Sequence, residues 1–255
     1  MIREDDVMLG GPTSLARVVT LARPEKKNAI STELAETLAD AIDRASDDET
    51  VRAVILTAEG DVFAAGGDLD EMAEGLSGDG AARVLAMGMR MQRMEACTVP
   101  VLAAVNGDVY GGGCELILLT DIVLAEAHVR FSFRHARMGL APAWGGTGRL
   151  IERTSLAFAT RALLTAETIN ANNARVSGLV SDVVPTGAAL AKCITLANEI
   201  ARSSRAGVTG VKASIQASRR AARKASSSAE AEIFQKLFGG PAHREAMEAA
   251  KRGRT

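Results

Sequence analysis

Aromatic residues are scarce in this chain. They make up 3% of its 255 residues and include a single tryptophan and a single tyrosine, so the core must be built mainly from aliphatic side chains. An excess of one charge is lacking as well, because the formal net charge is −1. A nearly neutral chain argues against a general nucleic-acid binder, since neutralising phosphates requires a basic surface. Apolar residues make up 47% and charged residues 24% of the chain, as in ordinary globular proteins.

Cysteine is also rare. Cys97, Cys114 and Cys193 are odd in number and far apart, which argues against a disulfide framework or a CxxC metal pair and favours a reducing compartment. The acidic residues 1–6 lack the apolar segment of a signal peptide. The longest apolar stretch, residues 116–127, contains polar residues and is too short to cross a bilayer. We therefore expect a cytoplasmic protein without a targeting segment.

Several common catalytic motifs are missing from the sequence. The three histidines show no HExxH spacing, which disfavours a zinc site. No G-x-S-x-G motif is present, which disfavours a serine hydrolase. Neither glycine cluster of the chain continues into G-K-[ST] or forms G-x-G-x-x-G, so a phosphate loop and a dinucleotide site are not expected.

Short β-rich runs alternate with helical patterns up to about residue 185, and helical patterns dominate afterwards. The predicted strands cover residues 15–21, 51–57, 100–105, 121–125, 129–133 and 179–184. The predicted helices in this part cover residues 31–46, 81–96 and 114–119. This order predicts an α/β core with a helical C-terminal appendage, in which the serines at 226–228 predict a break between two helices. The methionines of the second helix, Met87, Met91 and Met94, predict core packing.

Two glycine clusters follow predicted strands. The first contains Ala64, Gly66, Gly67 and Asp68, and the second is the run Gly111-Gly112-Gly113 that opens a helix. Small residues let a ligand carbonyl approach the main chain, and a helix start leaves N–H groups without partners inside the helix. Together these features favour the binding of a developing negative charge. Each cluster taken alone is equally compatible with a tight connection.

Five stretches together resemble the crotonase (enoyl-CoA hydratase/isomerase) superfamily over nearly the whole chain. They are RPEKKNAIS at residues 23–31, DVFAAGGDLDEM at 61–72, PVLAAVNGDVYGGGCELILLTDIVLA at 100–125, MGLAPAWGGTGRL at 138–150 and LLTAETINANNARVSGLVSDVVP at 163–185. The resemblance implies a spiral of ββα units over residues 1–200 that carries a CoA-thioester site. It also implies a helical region over residues 201–255 that packs trimers, often paired into hexamers.

The resemblance also implies an oxyanion hole, formed by the N–H groups of Gly67 and Gly112. A bulky residue at either position is expected to block the approach of a thioester. The acyl-CoA would enter as substrate, with no further cofactor and no metal. Its expected contacts are Lys27, Ala29, Ala64, Gly66, Asp68, Leu69, Gly111 and Trp144. Trp144 can either wall the acyl pocket or cap the core.

Two residues match the catalytic positions of the family. Glu115 stands where the family's hydratases carry one catalytic glutamate, in the first turn of the helix that supplies Gly112. Its alternative role is to complement the helix N-terminus. His135 stands where the second glutamate is expected, and this is the main departure from the hydratase pattern. A histidine, with an ordinary pKa of about 6.5, can still donate or accept a proton, but it can also be a structural residue in a turn.

The matching motifs leave several activities open. Hydration of a 2-enoyl-CoA is the first expectation, because Glu115 is retained and hydration is the superfamily's commonest activity. Decarboxylation of a substituted malonyl-CoA is the second. FRHARMGLAPAWGG at residues 133–146 and FGGPAHREA at 238–246 resemble decarboxylases of the ethylmalonyl-CoA type. Isomerisation of an enoyl-CoA double bond and a non-catalytic acyl-CoA-binding protein remain as further alternatives.

A basic run at residues 219–224 could contact the 3′-phosphate of CoA or a nucleic acid. On a helix its arginines and lysine spread over more than one face, and the net charge of the chain is close to zero. The run is therefore interpreted as a solvated helix surface.

Overall fold

The computed structural model describes residues 1–11 and 13–253, and for residue 77 and residues 220–227 it describes the backbone alone. Its strands are β1 (Ile2–Met8), β2 (Leu15–Leu21), β3 (Val51–Ala58), β4 (Val62–Ala64), β5 (Val101–Val105), β6 (Asp108–Tyr110), β7 (Ile122–Glu126), β8 (Arg130–Ser132), β9 (Ile169–Asn170) and β10 (Asp182–Val184). Its α-helices are α1 (Thr32–Asp47), α2 (Leu69–Glu74), α3 (Gly80–Met91), α4 (Arg93–Ala96), α5 (Gly112–Leu118), α6 (Gly146–Arg153), α7 (Leu156–Thr165), α8 (Ala171–Ser177), α9 (Ala189–Ala201), α10 (Arg205–Leu237) and α11 (Pro241–Arg252).

The larger of two sheets has six strands in the order β1-β2-β3-β5-β7-β10. The pair β1 and β2 is antiparallel, with Ile2 opposite Leu21, and the remaining neighbours in this sheet run parallel. Strands β3 and β5 are almost continuously buried, because parallel strands are covered on both faces. One covering layer contains α1, with Leu34, Leu38 and Ile42 buried. The other contains α9, with Cys193 and Ala197 buried.

The smaller sheet, in the order β4-β6-β8-β9, places the two glycine clusters side by side. Strands β3 and β5 of the large sheet are each followed by a short strand of the small sheet, β4 and β6, and then by a helix. This repeated unit confirms the predicted α/β spiral of ββα units. Strands β4 and β6 pair in parallel, with Ala64 opposite Val109. Because paired parallel strands end at the same edge of a sheet, the residues that follow them become neighbours.

The C-terminal part of the chain is dominated by α10, a continuous helix of 33 residues. The predicted break at residues 226–228 was therefore wrong. Serine in a helix interior is at most about 0.7 kcal/mol less favourable than alanine, and contacts of α10 with the core offset a cost of this size. One such contact is Lys212, whose Nζ lies 2.7 Å from Oδ2 of Asp121 and donates to the carbonyl of Val99.

The basic run begins at Arg219, which is not solvated as predicted. Its side chain is 15% exposed, and its Nε donates to Oε1 of Glu152 at 2.6 Å. The side chains of the rest of the run, residues 220–224, lie outside the described part of the structure. Within the described residues, no helix has the length and apolar character that crossing a membrane requires.

Candidate active site

The two glycine clusters form adjacent backbone segments at the edge of the small sheet. The first is fixed by hydrogen bonds from Ile30 N to Gly66 O and from Asp68 N to Ile30 O, of 2.7 and 3.0 Å. The second is fixed by a bond of 2.9 Å from Gly111 N to Ser132 O. Gly66 and Gly111 have φ angles of +104° and +50°, which glycine adopts without the strain that a Cβ causes. Both segments therefore depend on glycine where the sequence provides it.

The N–H groups of Gly67 and Gly112 border the same space. A Cβ built on Gly112 would lie 3.6 Å from the nitrogen of Gly67, and one built on Gly66 would lie 3.3 Å from the nitrogen of Gly112. In the described part of the chain neither N–H donates to a protein acceptor. Two backbone N–H groups without a protein acceptor thus lie close together at one location, and their action as an oxyanion hole stays a prediction.

These donors open onto a cavity of about 250 Å³. Its lining includes all the predicted site residues except Lys27 and Ala64. Lys27 is exposed at the end of a 3₁₀ helix, Pro24–Lys26, outside the cavity. The methyl group of Ala64 is fully buried beneath α5, because a Cβ on Gly113 would lie 2.4 Å from the carbonyl oxygen of Ala64. Neither side chain lines the cavity, and contact of these two residues with the CoA part of a substrate stays a prediction.

Asp68 lines the cavity, but its carboxylate is already engaged. It accepts an N–H from Asp70 at 2.9 Å, which caps the start of α2, and Oδ2 lies 2.7 Å from Nη1 of Arg23. The side chain is 4% exposed. The engaged carboxylate of Asp68 supports a structural role in the loop that carries Gly67. Any contact of this residue with a ligand would then be made by its main chain.

Glu115 projects from α5 toward a different loop. It is 2% exposed, and its Oε1 accepts the N–H groups of Ala143 and Trp144 at 3.1 and 3.0 Å. The carboxylate lies in the first turn of α5 but makes its hydrogen bonds to the loop at residues 143–144 and not to its own helix. A Cβ on Gly146 would lie 2.5 Å from Oε1, so this segment of main chain packs directly on the carboxylate.

His135 follows β8 and its ring faces the same cavity. Its Nε2 lies 3.4 Å from Oε2 of Glu115 without the geometry of a hydrogen bond. Both ring nitrogens are buried and have no hydrogen-bond partner within the part of the chain that the structure describes. Buried polar atoms normally have a hydrogen-bond partner. We therefore expect the ring nitrogens to form hydrogen bonds with water or a substrate.

Trp144 both lines the cavity and is buried against α3, and its contact with an acyl group stays a prediction. Its Nε1 donates to the carbonyl of Val84 at 2.8 Å, and a Cβ on Gly88 would lie 2.3 Å from the indole ring. Met87 likewise belongs to the core and to the cavity wall. The wall of the cavity is therefore also part of the core at this end.

Two residues of α10 were not predicted for the site. The carboxylate of Glu230 accepts three N–H groups at the start of α6, and Phe234 lines the cavity. Residues 230 and 145 are 85 positions apart, and no local motif marked either residue of α10. The stretch FGGPAHREA at residues 238–246 contacts the turn after His135, a contact that the sequence did not predict. A Cβ on Gly139 would lie 2.7 Å from the backbone of His243.

The contact between Gly112 and the indole ring yields a test. In Gly112→Ala the new Cβ would lie 2.7 and 2.9 Å from two ring atoms of Trp144, which is too close, so the ring must move. We expect a loss of about 1–3 kcal/mol in the free energy of unfolding and a shifted emission spectrum, because Trp144 is the only tryptophan.

The matched control for this test is Gly67→Ala. Its Cβ would meet only the flexible end of Met72, with Sδ at 3.1 Å, so emission should stay close to that of the wild type. Fluorescence and urea unfolding measure both effects. An unchanged spectrum and midpoint in Gly112→Ala would contradict the close approach of ring and main chain.

Comparison with known proteins gives a consistent result. The family model "Enoyl-CoA hydratase/isomerase" matches residues 13–254. The 2,3-dehydroadipyl-CoA hydratase of Escherichia coli (strain K12) is 34% identical over 239 residues, which are 93% of this chain and 92% of that protein. The short-chain-enoyl-CoA hydratase of Clostridium acetobutylicum is 32% identical, over 91% of this chain and 89% of that protein.

Solved structures agree with these sequence relatives. The crystal structure of an enoyl-CoA hydratase/isomerase from Mycobacterium paratuberculosis has a TM-score of 0.86 and 29% identity, over 96% of this chain and 97% of that chain. That of the enoyl-CoA hydratase from Mycobacterium tuberculosis H37Rv has a TM-score of 0.80 and 31% identity, over 94% and 99%. The resemblance seen in five sequence stretches is confirmed, and the chain belongs to the enoyl-CoA hydratase/isomerase family.

Proposed function

We propose that this chain is an enoyl-CoA hydratase, which adds water to the double bond of a 2-enoyl-CoA thioester. One observation carries the proposal: the unengaged N–H groups of Gly67 and Gly112 border a cavity whose wall also contains Glu115 and His135. The names of the relatives support it, since those described above act on enoyl-CoA substrates as hydratases. The acyl-CoA enters as the substrate, and the proposed chemistry needs no further cofactor.

The difficult step is to place negative charge on the thioester oxygen. When water attacks the β-carbon, an electron pair moves through the α-carbon onto that oxygen and gives an enolate. Two fixed N–H donors in a site shielded from water stabilise this charge, and one such donor typically contributes about 2.7–4 kcal/mol. Because the donors belong to the main chain, the pairing of β4 with β6 fixes them, and no side-chain rotamer can turn them away.

Glu115 acts as the base in this scheme. Its Oε1 holds the amides of Ala143 and Trp144, whereas Oε2 makes a longer contact of 3.3 Å with Ala143 N and faces His135. Oε2 therefore retains the capacity to accept a proton from water. As the water oxygen bonds to the β-carbon, one of its O–H bonds breaks and the proton passes to Oε2.

His135 supplies the proton that the α-carbon needs. The enolate becomes a carbonyl again as a C–H bond forms at the α-carbon, and the proton comes from the protonated ring of His135, which is left as neutral imidazole. At that point Glu115 carries the proton of the water and His135 has lost one. Oε2 and Nε2 lie 3.4 Å apart without a hydrogen bond, so a small rotation of either side chain must precede the return of the proton from the carboxyl group to the imidazole, after which both groups recover their starting states.

Decarboxylation of a substituted malonyl-CoA is the second candidate, and His135 is the observation that favours it. The family's hydratases place a second glutamate at this position, and its negative charge would repel a malonyl carboxylate. An imidazole does not. Loss of carbon dioxide leaves the same thioester enolate on Gly67 and Gly112, and the only further requirement is an acid that protonates the α-carbon.

The direct test is a rate measurement on purified protein with two substrates. We expect the enoyl absorbance of crotonyl-CoA to fall as 3-hydroxybutyryl-CoA forms, because a base, an acid and an oxyanion hole surround one cavity. Carbon dioxide release from ethylmalonyl-CoA without any hydration would favour the second candidate. Binding of both thioesters with no turnover of either would reject an enzymatic role.

Replacement of Glu115 tests its role as the base. In Glu115→Gln the amide oxygen can still accept the N–H groups of Ala143 and Trp144, so the loop stays in place while the proton acceptor is lost. We expect kcat for crotonyl-CoA to fall by about 10²–10⁴-fold with little change in KM. Steady-state kinetics decide the matter, and an unaltered kcat defeats the assignment of Glu115.

Replacement of His135 tests its role as the acid. Its ring nitrogens have no hydrogen-bond partner in the described residues, so His135→Ala should leave the fold intact and lower kcat by about 10²-fold or more. His135→Gln, which keeps a polar group but transfers no proton, is the matched control and should be equally slow. Full activity in either variant would show that this ring serves only the turn.

We also propose that the chain assembles as a homotrimer or a dimer of trimers through the helical region 201–255. Apolar side chains that are exposed on α10 support this, since large exposed apolar groups often mark interfaces. Three of them are Val211, Ile215 and Ile233. A cytoplasmic location is proposed as well, supported by the three cysteines, which are buried and unpaired.

A further inference from the structure

Five consecutive backbone N–H groups, those of Ala143, Trp144, Gly145, Gly146 and Thr147, are shared between two carboxylates. Glu115 accepts the first two, as described above. Glu230 accepts the other three: Oε1 lies 2.5 Å from Gly145 N and 3.1 Å from Gly146 N, and Oε2 lies 2.8 Å from Thr147 N. One short segment of main chain thus connects the proposed base to a carboxylate on α10.

The conformation of the segment suits this double role. Gly145 has a φ of +79° and precedes the first turn of α6, so successive N–H groups turn toward a common side, as in other anion-binding backbone concavities. Gly146 admits no side chain, because its Cβ would lie 2.5 Å from Oε1 of Glu115. The two carboxylates therefore approach the same turn with only main chain between them.

Glu230 is placed too deeply for a surface contact. It is 6% exposed, and both carboxylate oxygens are occupied by N–H donors. Burial raises the pKa of Glu230, the charge of Glu115 adds to the rise, and the N–H groups of Thr147 and Gly145 oppose it. The two carboxylates are linked through the backbone segment that both bind, so a displacement of one would move the N–H groups that the other accepts.

We propose that Glu230 is a positioning residue for the reaction: it fixes the turn at residues 145–147 and thereby holds the amides of Ala143 and Trp144 that orient Glu115. This inference rests on the proposed function, because it assigns Glu230 an effect on the base of that reaction. It also gives α10 a part in catalysis, since the active-site loop is complete only when this helix is docked.

The test compares Glu230→Ala with the wild type in the crotonyl-CoA assay. Loss of the carboxylate frees three N–H groups and lets the turn move, so kcat should fall by about 100-fold, the effect of a small misplacement of a catalytic group. KM should change little, because Gly67 and Gly112 are untouched. Glu230→Gln retains one acceptor oxygen for Gly145 and Gly146, and should recover part of kcat. If Glu230→Ala does not fold, the kcat of Glu230→Gln is compared with that of the wild type instead.

Lys212→Met is the matched control. Lys212 docks the same helix through Asp121 and Val99, and among the described residues it forms no hydrogen bond or ion pair with residues 143–147. We expect a lower unfolding temperature and an unchanged kcat at temperatures where the variant is folded. Equal losses of kcat in Glu230→Gln and Lys212→Met would overturn the proposal and leave helix docking as the whole effect, as would wild-type kcat in Glu230→Gln and Glu230→Ala.

The activity of the wild-type protein distinguishes a failure of this inference from a failure of the proposed function. If the wild type hydrates crotonyl-CoA, the kcat of the variants decides the role of Glu230. If it releases carbon dioxide from ethylmalonyl-CoA instead, the hydratase proposal fails and the same comparison is made with that substrate. If it turns over neither, the positioning role fails together with the enzyme, while changed Trp144 emission in Glu230→Ala alone would still establish the link to the turn.

Discussion

The turn at residues 143–147 is the constraint on which the candidate site depends. Its N–H groups are satisfied by Glu115 from α5 and Glu230 from α10, two helices far apart in the sequence. A buried carboxylate is costly unless it is hydrogen-bonded, and buried N–H groups are costly without acceptors. The carboxylates and the N–H groups therefore satisfy each other. Loss of either carboxylate would leave buried N–H groups of the turn without an acceptor.

A second constraint comes from the parallel pairing of β4 and β6. It brings together two glycine segments that are far apart in the sequence, and Gly67 and Gly112 become part of the cavity wall. The turn at residues 143–147 packs next to them, since a Cβ on Gly112 would lie 2.7 Å from the ring of Trp144. The site thus lies between two backbone elements, and the side chain of His135 is placed on a frame that its own identity does not determine.

The sequence predicted what is encoded locally. Short-range signals mark the glycine clusters, the first helical turn that contains Glu115, and the alternation of strands with helices. The residues of the glycine clusters and Glu115 meet in the structure as expected. For Lys27 and Ala64, the motif identifies a segment without saying which way each side chain points, and their contact with a substrate stays a prediction. Arg219 and Glu230 could not be assigned, because their partners lie in loops and helices that only the docking of α10 brings near.

The position of His135 bears on which reaction the site favours. Hydration needs a base and an acid that end each cycle as they began, and this requires a proton path between them. Here Nε2 of the imidazole lies 3.4 Å from Oε2 of Glu115, close enough to receive the proton once either side chain rotates into hydrogen-bonding geometry. Decarboxylation would use the same imidazole as an acid and would leave Glu115 without a partner in the cycle. The close approach of the two side chains, maintained by the turn that Glu230 completes, therefore favours hydration on chemical grounds that are independent of the relatives.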